Sequence, residues 1–198
     1  MCVLLLRKDQ QMSKSKDVRY YRTRERIYDA LTTLLQKKTF TEITVKDIVE
    51  EGMVSRSAFY NHFEDKFHLI QEYQLEYLDQ INHVINQTIG QGMHEMLLQV
   101  STLLKREGRL FGLLLGKNGS TTIQENMIDL LKKNGEINIL PYLDISLKNE
   151  IEKYYFLAFL SNAVLGVVQE WVKRDFKESP EEIVTVIEKI ISYDIKPT

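Results

Sequence analysis

The sequence predicts an all-α protein built from two domains. Only three prolines and nine glycines occur among its 198 residues, and long segments contain neither, which favours helices. Apolar residues recur in these segments at spacings of three and four, as on one face of an amphipathic helix. The charge changes near residue 66, because residues 1–66 carry 13 basic and 10 acidic side chains and residues 67–198 carry 13 and 18.

The first part of the chain is predicted to begin with a disordered leader at residues 1–19, which are polar and lack a period. A helix follows from about Thr23, which would cap its start, to Lys38. The densest basic run, Arg19–Arg26, then lies just before this helix. A basic first part of the chain suits local contact with phosphates even when the second part is acidic. A difference in net charge this small between the two parts also arises by chance.

Two short helices and the start of a long one follow. Thr44 is predicted to cap the second helix, with Asp47 three residues on as a partial capping box, and Gly52 to end it. Ser55 is predicted to cap the third helix. A fourth helix is predicted at about residues 64–89, because its apolar stripe continues over that length.

The second part of the chain is predicted to be helical throughout. Its glycines and prolines divide it, with the Gly135 to Pro141 segment as an interruption. The predicted helices lie at about residues 93–106, 108–115, 120–133, 150–174 and 180–194.

The residues that point most clearly to a function lie in Thr44–Lys66. From Ser55, the predicted cap of the third helix, to Lys66, the chain follows the pattern S-R-x-x-F-Y-x-H-F-x-x-K. This stretch resembles the TetR/AcrR family of bacterial transcription regulators, and the resemblance covers about residues 20–70. Beyond residue 70, only the helix layout resembles that family, together with a late motif around Gly166, Trp171 and Ser179-Pro180.

The resemblance and the side-chain chemistry together give a set of candidate DNA contacts. The resemblance implies that Tyr60, His62 and Lys66 contact phosphates, and each of the three can donate a hydrogen bond to a phosphate oxygen. Base edges would be read by side chains that include an Arg able to bind guanine and an Asn able to bind adenine. The candidate readers of bases are Arg56, Ser57 and Asn61, and the further candidates for phosphate contact are Thr44 and Lys46. Ser55 completes the set of candidate DNA-binding residues.

Several of these residues also have purely structural interpretations. Tyr60 has the alternative of a half-buried aromatic, although its polar neighbours favour a functional role, and the favoured interpretation of Ser55 is a helix cap. Where the family has a small residue in the turn, this chain has Met53, and its glycine comes one place earlier. Either Gly52 or Met53 takes the left-handed conformation. Ala58 also replaces a common Thr or Ser, which removes one hydroxyl contact.

The segment at residues 150–174 is apolar nearly all round, which is typical of a helix between two neighbours. One neighbour would be the chain's own core, and the other a second subunit in a four-helix interface. The resemblance also implies a homodimer, whereas a deep core within a monomer is the alternative. The predicted interface residues are Val168, Trp171, Ile187 and Ile191.

A small apolar effector is predicted in the second part, where aromatic and methionine side chains mix with a few polar groups. The candidate residues are Phe111, Met127, Tyr155 and Phe159, although such residues are more often plain core. No cofactor or metal site is predicted, since the single cysteine and the four histidines have no ligand spacing. No catalytic motif is present, and no apolar run reaches membrane length, so we expect a cytoplasmic protein that is not an enzyme.

The sequence therefore predicts a regulator that binds double-stranded DNA. We expect an N-terminal helix-turn-helix domain at residues 20–66, joined by a long helix to a helical effector-binding and dimerisation domain at residues 67–198. The protein would act as a homodimeric, ligand-responsive repressor on a pseudo-palindromic operator. Two alternatives remain: a co-activator of the same fold that works through a partner protein, and a helical ligand-binding or scaffold protein without specific DNA binding.

Overall fold

A computed structural model describes the backbone of residues 2–191 and the side chains of residues 18–190. Within that range the regular structure is helical, and the all-α prediction is confirmed. Short 3₁₀ helices lie at Ile89–Gln91 and Leu140–Tyr142. The described α-helices are α1 (Cys2–Leu35), α2 (Val45–Glu51), α3 (Arg56–Tyr60), α4 (Lys66–Thr88), α5 (Met93–Glu107), α6 (Arg109–Leu115), α7 (Thr121–Asn138), α8 (Glu150–Lys173) and α9 (Pro180–Ile191).

The chain divides into two compact units. The first unit is Met1–Gln71 and the second is Glu72–Thr198, so the division falls within α4 rather than after Lys66. The helix α4 contributes its first turns to the first unit and the remainder to the second. The roles assigned to residues 20–66 and 67–198 stay predictions.

The helix α1 begins before the predicted Thr23 and ends before the predicted Lys38. The Thr23 hydroxyl donates to the carbonyl oxygen of Arg19 at 2.9 Å, so Thr23 lies inside the helix and does not cap it. No glycine or proline interrupts this stretch, which is why the helix extends through the basic run. At the other end, the Lys37 and Lys38 amides both donate to the Leu34 carbonyl in a closing turn. The structure does not describe the side chains of residues 1–17, and the disordered leader stays a prediction.

The first unit packs α1, α2 and α3 around one apolar core. Each helix contributes the residues that its spacing predicts, and the loop between α1 and α2 adds two more. The fully buried members of this core include Ile27, Leu31, Leu35, Phe40, Ile43, Ile48, Phe59 and Phe63. This core fixes the side of α3 that turns away from solvent.

The second unit packs α8 against α6 and α7, and α9 against α5. The helix α7 continues to Asn138, through the Gly135 that was predicted to interrupt it. Gly135 is buried there, and a Cβ at this position would lie at ordinary van der Waals distance, 3.4 Å, from the Leu157 side chain. By length and composition alone α8 is apolar enough to cross a membrane, a test that core helices of soluble proteins also pass.

The helix α8 buries one apolar face and exposes another. Leu157, Leu165, Val168 and Trp171 lie on the buried face, and the Trp171 indole donates to the Glu178 carbonyl at 3.2 Å. The exposed large apolar residues are different ones. On α8 they are Ile151, Tyr154, Tyr155, Phe159 and Val164, and on α9 they are Val186 and Ile190.

The structure therefore corrects the predicted interface residues. Val168 and Trp171 belong to the core of the second unit and are not available to another subunit. Ile187 is half-buried on α9, and the side chain of Ile191 lies outside the described residues. Periodicity could not choose between the two faces of α8, because both are apolar.

Candidate nucleic-acid interface

The start of α2 is held by a reciprocal capping box. The Asp47 amide donates to the Thr44 hydroxyl oxygen at 3.1 Å, and the Thr44 amide donates to an Asp47 carboxylate oxygen at 2.8 Å. The Lys38 ammonium lies 3.2 Å from the other oxygen of that carboxylate. Hydrogen bonds from the backbone and side chain of Thr44, and then the Lys38 ammonium, lower the pKa of Asp47 to about 2. The predicted cap is present in full.

Gly52 and Met53 have different roles in the turn between α2 and α3. Met53 takes the left-handed conformation, with φ of 49°, while Gly52 has an ordinary right-handed φ of −78°. A Cβ on Gly52 would lie 3.0 Å from the Arg26 carbonyl oxygen and 3.3 Å from the Ala30 Cβ, so Gly52 permits the close approach of α2 to α1. The left-handed position then falls to Met53, whose side chain is 86% exposed.

We expect Met53→Gly to stabilise the first unit by about 0.5–1 kcal/mol. A left-handed residue with a Cβ costs about 1–2 kcal/mol, and the extra freedom of glycine in the unfolded chain offsets part of that gain. The measurement is chemical denaturation of both proteins. Gly52→Ala is the matched control and should destabilise, because its Cβ would meet the Arg26 carbonyl. A loss of stability in Met53→Gly would show that the Met53 side chain has a packing role.

The structure brings four of the predicted DNA contacts together on α3 and the residue after it. Arg56, Ser57, Tyr60 and Asn61 are all exposed there. Phe59, on the other side of the same helix, is 0% exposed and packs in the core. Ser55 caps α3, since its hydroxyl oxygen accepts from the Ala58 amide at 3.0 Å. The helix is therefore anchored on one side and presents polar groups on the other.

The remaining candidates on α2 and α3 differ in whether their hydrogen-bond donors are still available for DNA. The Thr44 hydroxyl donates to Asp47 at 2.9 Å, so its hydrogen is already used. Ser55 acts only as an acceptor in its cap and keeps its hydroxyl hydrogen. Lys46 is exposed, with its ammonium 3.8 Å from the Glu50 carboxylate, a distance typical of a weak surface pair.

His62 is placed differently from the four exposed side chains. Its ring lies against that of Tyr20, with centroids 4.2 Å apart, and its Nδ1 is buried with no hydrogen-bond partner in the described part of the chain. Burial, and then the positive charge of Arg24, lower the pKa of His62. The neutral imidazole is favoured, which weakens the case for a charged phosphate contact.

Sequence reasoning missed a cluster on α1 that surrounds this histidine. Arg24 is 5% exposed, and its guanidinium donates to the Tyr20 hydroxyl at 3.2 Å and the Tyr28 hydroxyl at 2.8 Å. The guanidinium also lies 4.7 Å from the centroid of the Phe63 ring. The spacing of four between Tyr20, Arg24 and Tyr28 was visible in the sequence and indicates one helix face.

Lys66 makes hydrogen bonds that the sequence did not predict. It begins α4, but its ammonium donates to three backbone carbonyl oxygens between α1 and α2: Phe40 at 2.9 Å, Thr41 at 3.1 Å and Ile43 at 2.6 Å. An ammonium has three hydrogens, and these acceptors use all of them. The predicted phosphate contact would therefore require these bonds to break.

The predicted effector residues are not brought together in the second unit. Phe111 and Met127 are buried in the core, whereas Tyr155 and Phe159 are exposed on α8. Two open depressions of about 340 and 450 Å³ lie on this unit, and none of the four residues lines either of them. Among the residues that the structure describes, no group of acidic, His or Cys side chains could hold a metal ion.

A capped helix-turn-helix with polar groups on its second helix, followed by a larger helical unit, defines a DNA-binding transcriptional regulator. Residues 27–73 match the family described as bacterial regulatory proteins, tetR family, and residues 91–193 match a transcriptional regulator C-terminal region. The chain belongs to the TetR family. The family domains indicate a regulator rather than an enzyme.

Individual proteins of known sequence or structure agree with this assignment. The uncharacterised HTH-type transcriptional regulator YvkB of Bacillus subtilis (strain 168) is 31% identical over 85 residues, which span 43% of this chain and 44% of that protein. A TetR transcriptional regulator from Streptococcus agalactiae 2603V is 22% identical, with a TM-score of 0.61 over 91% of this chain and 99% of its own. The dihydroxyacetone kinase operon activator DhaS is 18% identical, with a TM-score of 0.56 over 85% and 93%. The two structures show likeness of fold.

Proposed function

We propose that this protein is a homodimeric repressor that reads a pseudo-palindromic operator with α3. The observation that carries this proposal is the arrangement of α3, where Phe59 anchors one side and Arg56, Ser57 and Asn61 are exposed. An arginine binds the O6 and N7 of guanine together, and an asparagine pairs with adenine in the same two-pronged way. These groups are the ones that a helix in the major groove needs.

Phosphate contacts would hold α3 in register on the duplex. Tyr60 presents an exposed phenol beside the base-reading groups, and Ser55 keeps a hydroxyl hydrogen for a phosphate oxygen. Lys46, near the start of α2, supplies an exposed positive charge whose only described pairing is the long contact to Glu50. These contacts are independent of the base sequence, so they add affinity without specificity.

A homodimer is supported by the apolar side chains that the second unit leaves uncovered. We define the outer face of α8 as Ile151, Tyr155 and Phe159, all of which are exposed. Together with the exposed Val186 and Ile190 of α9, this face offers a second subunit apolar surface on two helices. TetR-family regulators form dimers, and a two-fold dimer needs two related half-sites in its operator.

Control by a small apolar effector would act on the core of the second unit. The Tyr77 hydroxyl is buried there without a hydrogen-bond partner among the described residues, and its ring lies 4.9 Å from that of Phe111. Burial raises the pKa of this hydroxyl, so it stays a protonated donor. We infer that an apolar ligand with one acceptor group would bind beside Tyr77 and Phe111 and favour the state with low operator affinity. The protein would carry out this regulation in the cytoplasm.

We expect Arg56→Ala and Tyr60→Phe to weaken DNA binding in different ways. Arg56→Ala should relax the preference at one base pair in each half-site, at a cost of about 1–3 kcal/mol. Tyr60→Phe keeps the ring and loses the phenol, so it should weaken binding to all sequences alike. The measurement is fluorescence anisotropy with DNA from upstream of the protein's own gene, its single-base variants, and random DNA.

Equal affinity of the unmodified protein for random and promoter DNA at every salt concentration would contradict the proposal. The direction of regulation needs its own assay, which is transcription in vitro from the bound promoter. A repressor lowers the yield of transcript, whereas an increase would favour an activator. Repeating the anisotropy titration with a candidate ligand tests effector control, since the ligand should weaken operator binding.

A further inference from the structure

We propose that Lys66 is a positioning residue that ties the first turn of α4 to the segment between α1 and α2, and that it does not bind DNA phosphate. This inference rests on the proposed operator binding, because its consequence is the orientation of α2 and α3 on DNA. It concerns contacts within the first unit alone.

We call the Lys66 ammonium and the three carbonyl oxygens that accept its hydrogens the Lys66 clamp. The Lys66 Nζ atom donates to the carbonyl oxygens of Phe40, Thr41 and Ile43 at 2.9, 3.1 and 2.6 Å, so all three of its hydrogens are used in hydrogen bonds. The Nζ atom also lies 4.8 Å from the centroid of the Phe40 ring and 5.5 Å from that of Phe67. The charge is thus held between aromatic rings and backbone oxygens.

The acceptors of Lys66 lie immediately before the cap of α2. Ile43 is followed by Thr44, whose capping box starts the helix. The segment is folded by its own bonds as well, since the Glu42 and Ile43 amides donate to the Thr39 carbonyl at 3.0 and 3.3 Å. The clamp therefore fixes where the chain enters α2.

The first turn of α4, which carries Lys66, is also held by hydrogen bonds. An Asp65 carboxylate oxygen accepts from the amides of Phe67 and His68, both at 2.8 Å, and holds the first turn of α4. The short connection from the end of α3 at Tyr60 leads directly into this turn. Lys66 thus joins the residues that follow α3 to the residues that precede α2, and so sets the angle between the two helices.

A phosphate role would have a cost that the exposed Lys46 does not have. Burial lowers the pKa of Lys66, with the Asp47 carboxylate acting in the opposite direction, as expected for an ammonium partly withdrawn from water. Turning it outward would leave three carbonyl oxygens without their donor. Lys46 pays no such penalty, because its ammonium is exposed and only weakly paired.

The test compares Lys66→Met, Lys66→Arg and Lys46→Met with the unmodified full-length protein. Circular dichroism first identifies a temperature at which all four are folded, and operator affinity is then measured from low to high salt. We expect Lys66→Met to bind the operator about tenfold more weakly or worse, with an unchanged slope of log K against log salt. Lys46→Met should instead reduce the magnitude of that slope by about two for a dimer.

Lys66→Arg distinguishes the two roles by geometry. A planar guanidinium spreads its donors over three nitrogens and cannot direct them at three carbonyls around one point, so we expect binding to stay weak. At a phosphate, arginine serves as well as lysine. Recovery of operator affinity in Lys66→Arg, or a reduced salt slope in Lys66→Met, would overturn the proposal. So would wild-type affinity in folded Lys66→Met, since the role would then be structural only.

A measurement without DNA separates this inference from the proposed function. If the clamp orients α2, the amides of Val45–Glu51 should exchange hydrogen faster in Lys66→Met than in the unmodified protein. Unchanged protection would overturn the positioning role. Failure of the unmodified protein to bind its promoter would instead count against the proposed function.

Discussion

Replacing Val168 by aspartate is expected to unfold the second unit rather than to separate two subunits. Val168 is 6% exposed and lies on the buried face of α8 with Leu165 and Trp171. A carboxylate there would be buried without a partner, which costs at least about 3 kcal/mol. That is a large part of the roughly 5–15 kcal/mol that stabilises a typical domain. The measurement is the thermal melt followed by circular dichroism.

Phe159→Asp is the matched control on the same helix. Phe159 is 71% exposed and lies about two and a half turns from Val168, so it points to the opposite side. We expect this variant to keep its helix content but to have a monomeric mass by light scattering at micromolar concentration. A dimeric Phe159→Asp would contradict the outer face of α8 as the interface, and a normally folded Val168→Asp would contradict its burial.

Gly112→Ala is expected to destabilise the second unit by about 1–3 kcal/mol through overpacking. Gly112 lies in α6, and a Cβ at this position would come within 2.2 Å of the Val172 Cγ2 and 2.7 Å of its Cγ1. Neither side can yield easily, since Val172 is branched at its Cβ and the glycine sits in a helix. The measurement is chemical denaturation.

The double variant Gly112→Ala/Val172→Ala tests whether this contact is the cause. Removing the two valine methyl groups makes room for the new methyl, so the double variant should be more stable than the sum of the single changes predicts. Gly90→Ala is the control, because a Cβ there meets nothing within 4 Å. Additive losses in the double variant would mean that Gly112 is required for another reason.

Most features that depend on neighbouring residues followed from the sequence, although the predicted Thr23 cap and the predicted interruption at Gly135 did not. The fourth helix was predicted at about residues 64–89 and is Lys66–Thr88, and the eighth was predicted at 150–174 and is Glu150–Lys173. The caps at Thr44 and Ser55 are present because capping involves residues only two or three positions apart. Periodicity and capping are local features, and they were sufficient to predict the fold class and the position of α3.

The parts that depend on distant residues did not follow. The acceptors of Lys66 lie more than twenty positions earlier in the chain, and no spacing rule connects them to it. Both faces of α8 are apolar, so composition alone could not show that Val168 faces inward and Phe159 outward.

The Lys66 clamp has a consequence for how this regulator can change over generations. All three of its acceptors are main-chain oxygens, which every amino acid supplies. The exposed Thr41 side chain can therefore vary without removing an acceptor of Lys66, whereas the Glu42 carboxylate accepts from the Thr39 amide at 2.8 Å and so helps to keep the backbone path. Mutations of such exposed side chains could change the contacts of this loop with DNA, while the angle between α2 and α3 is kept.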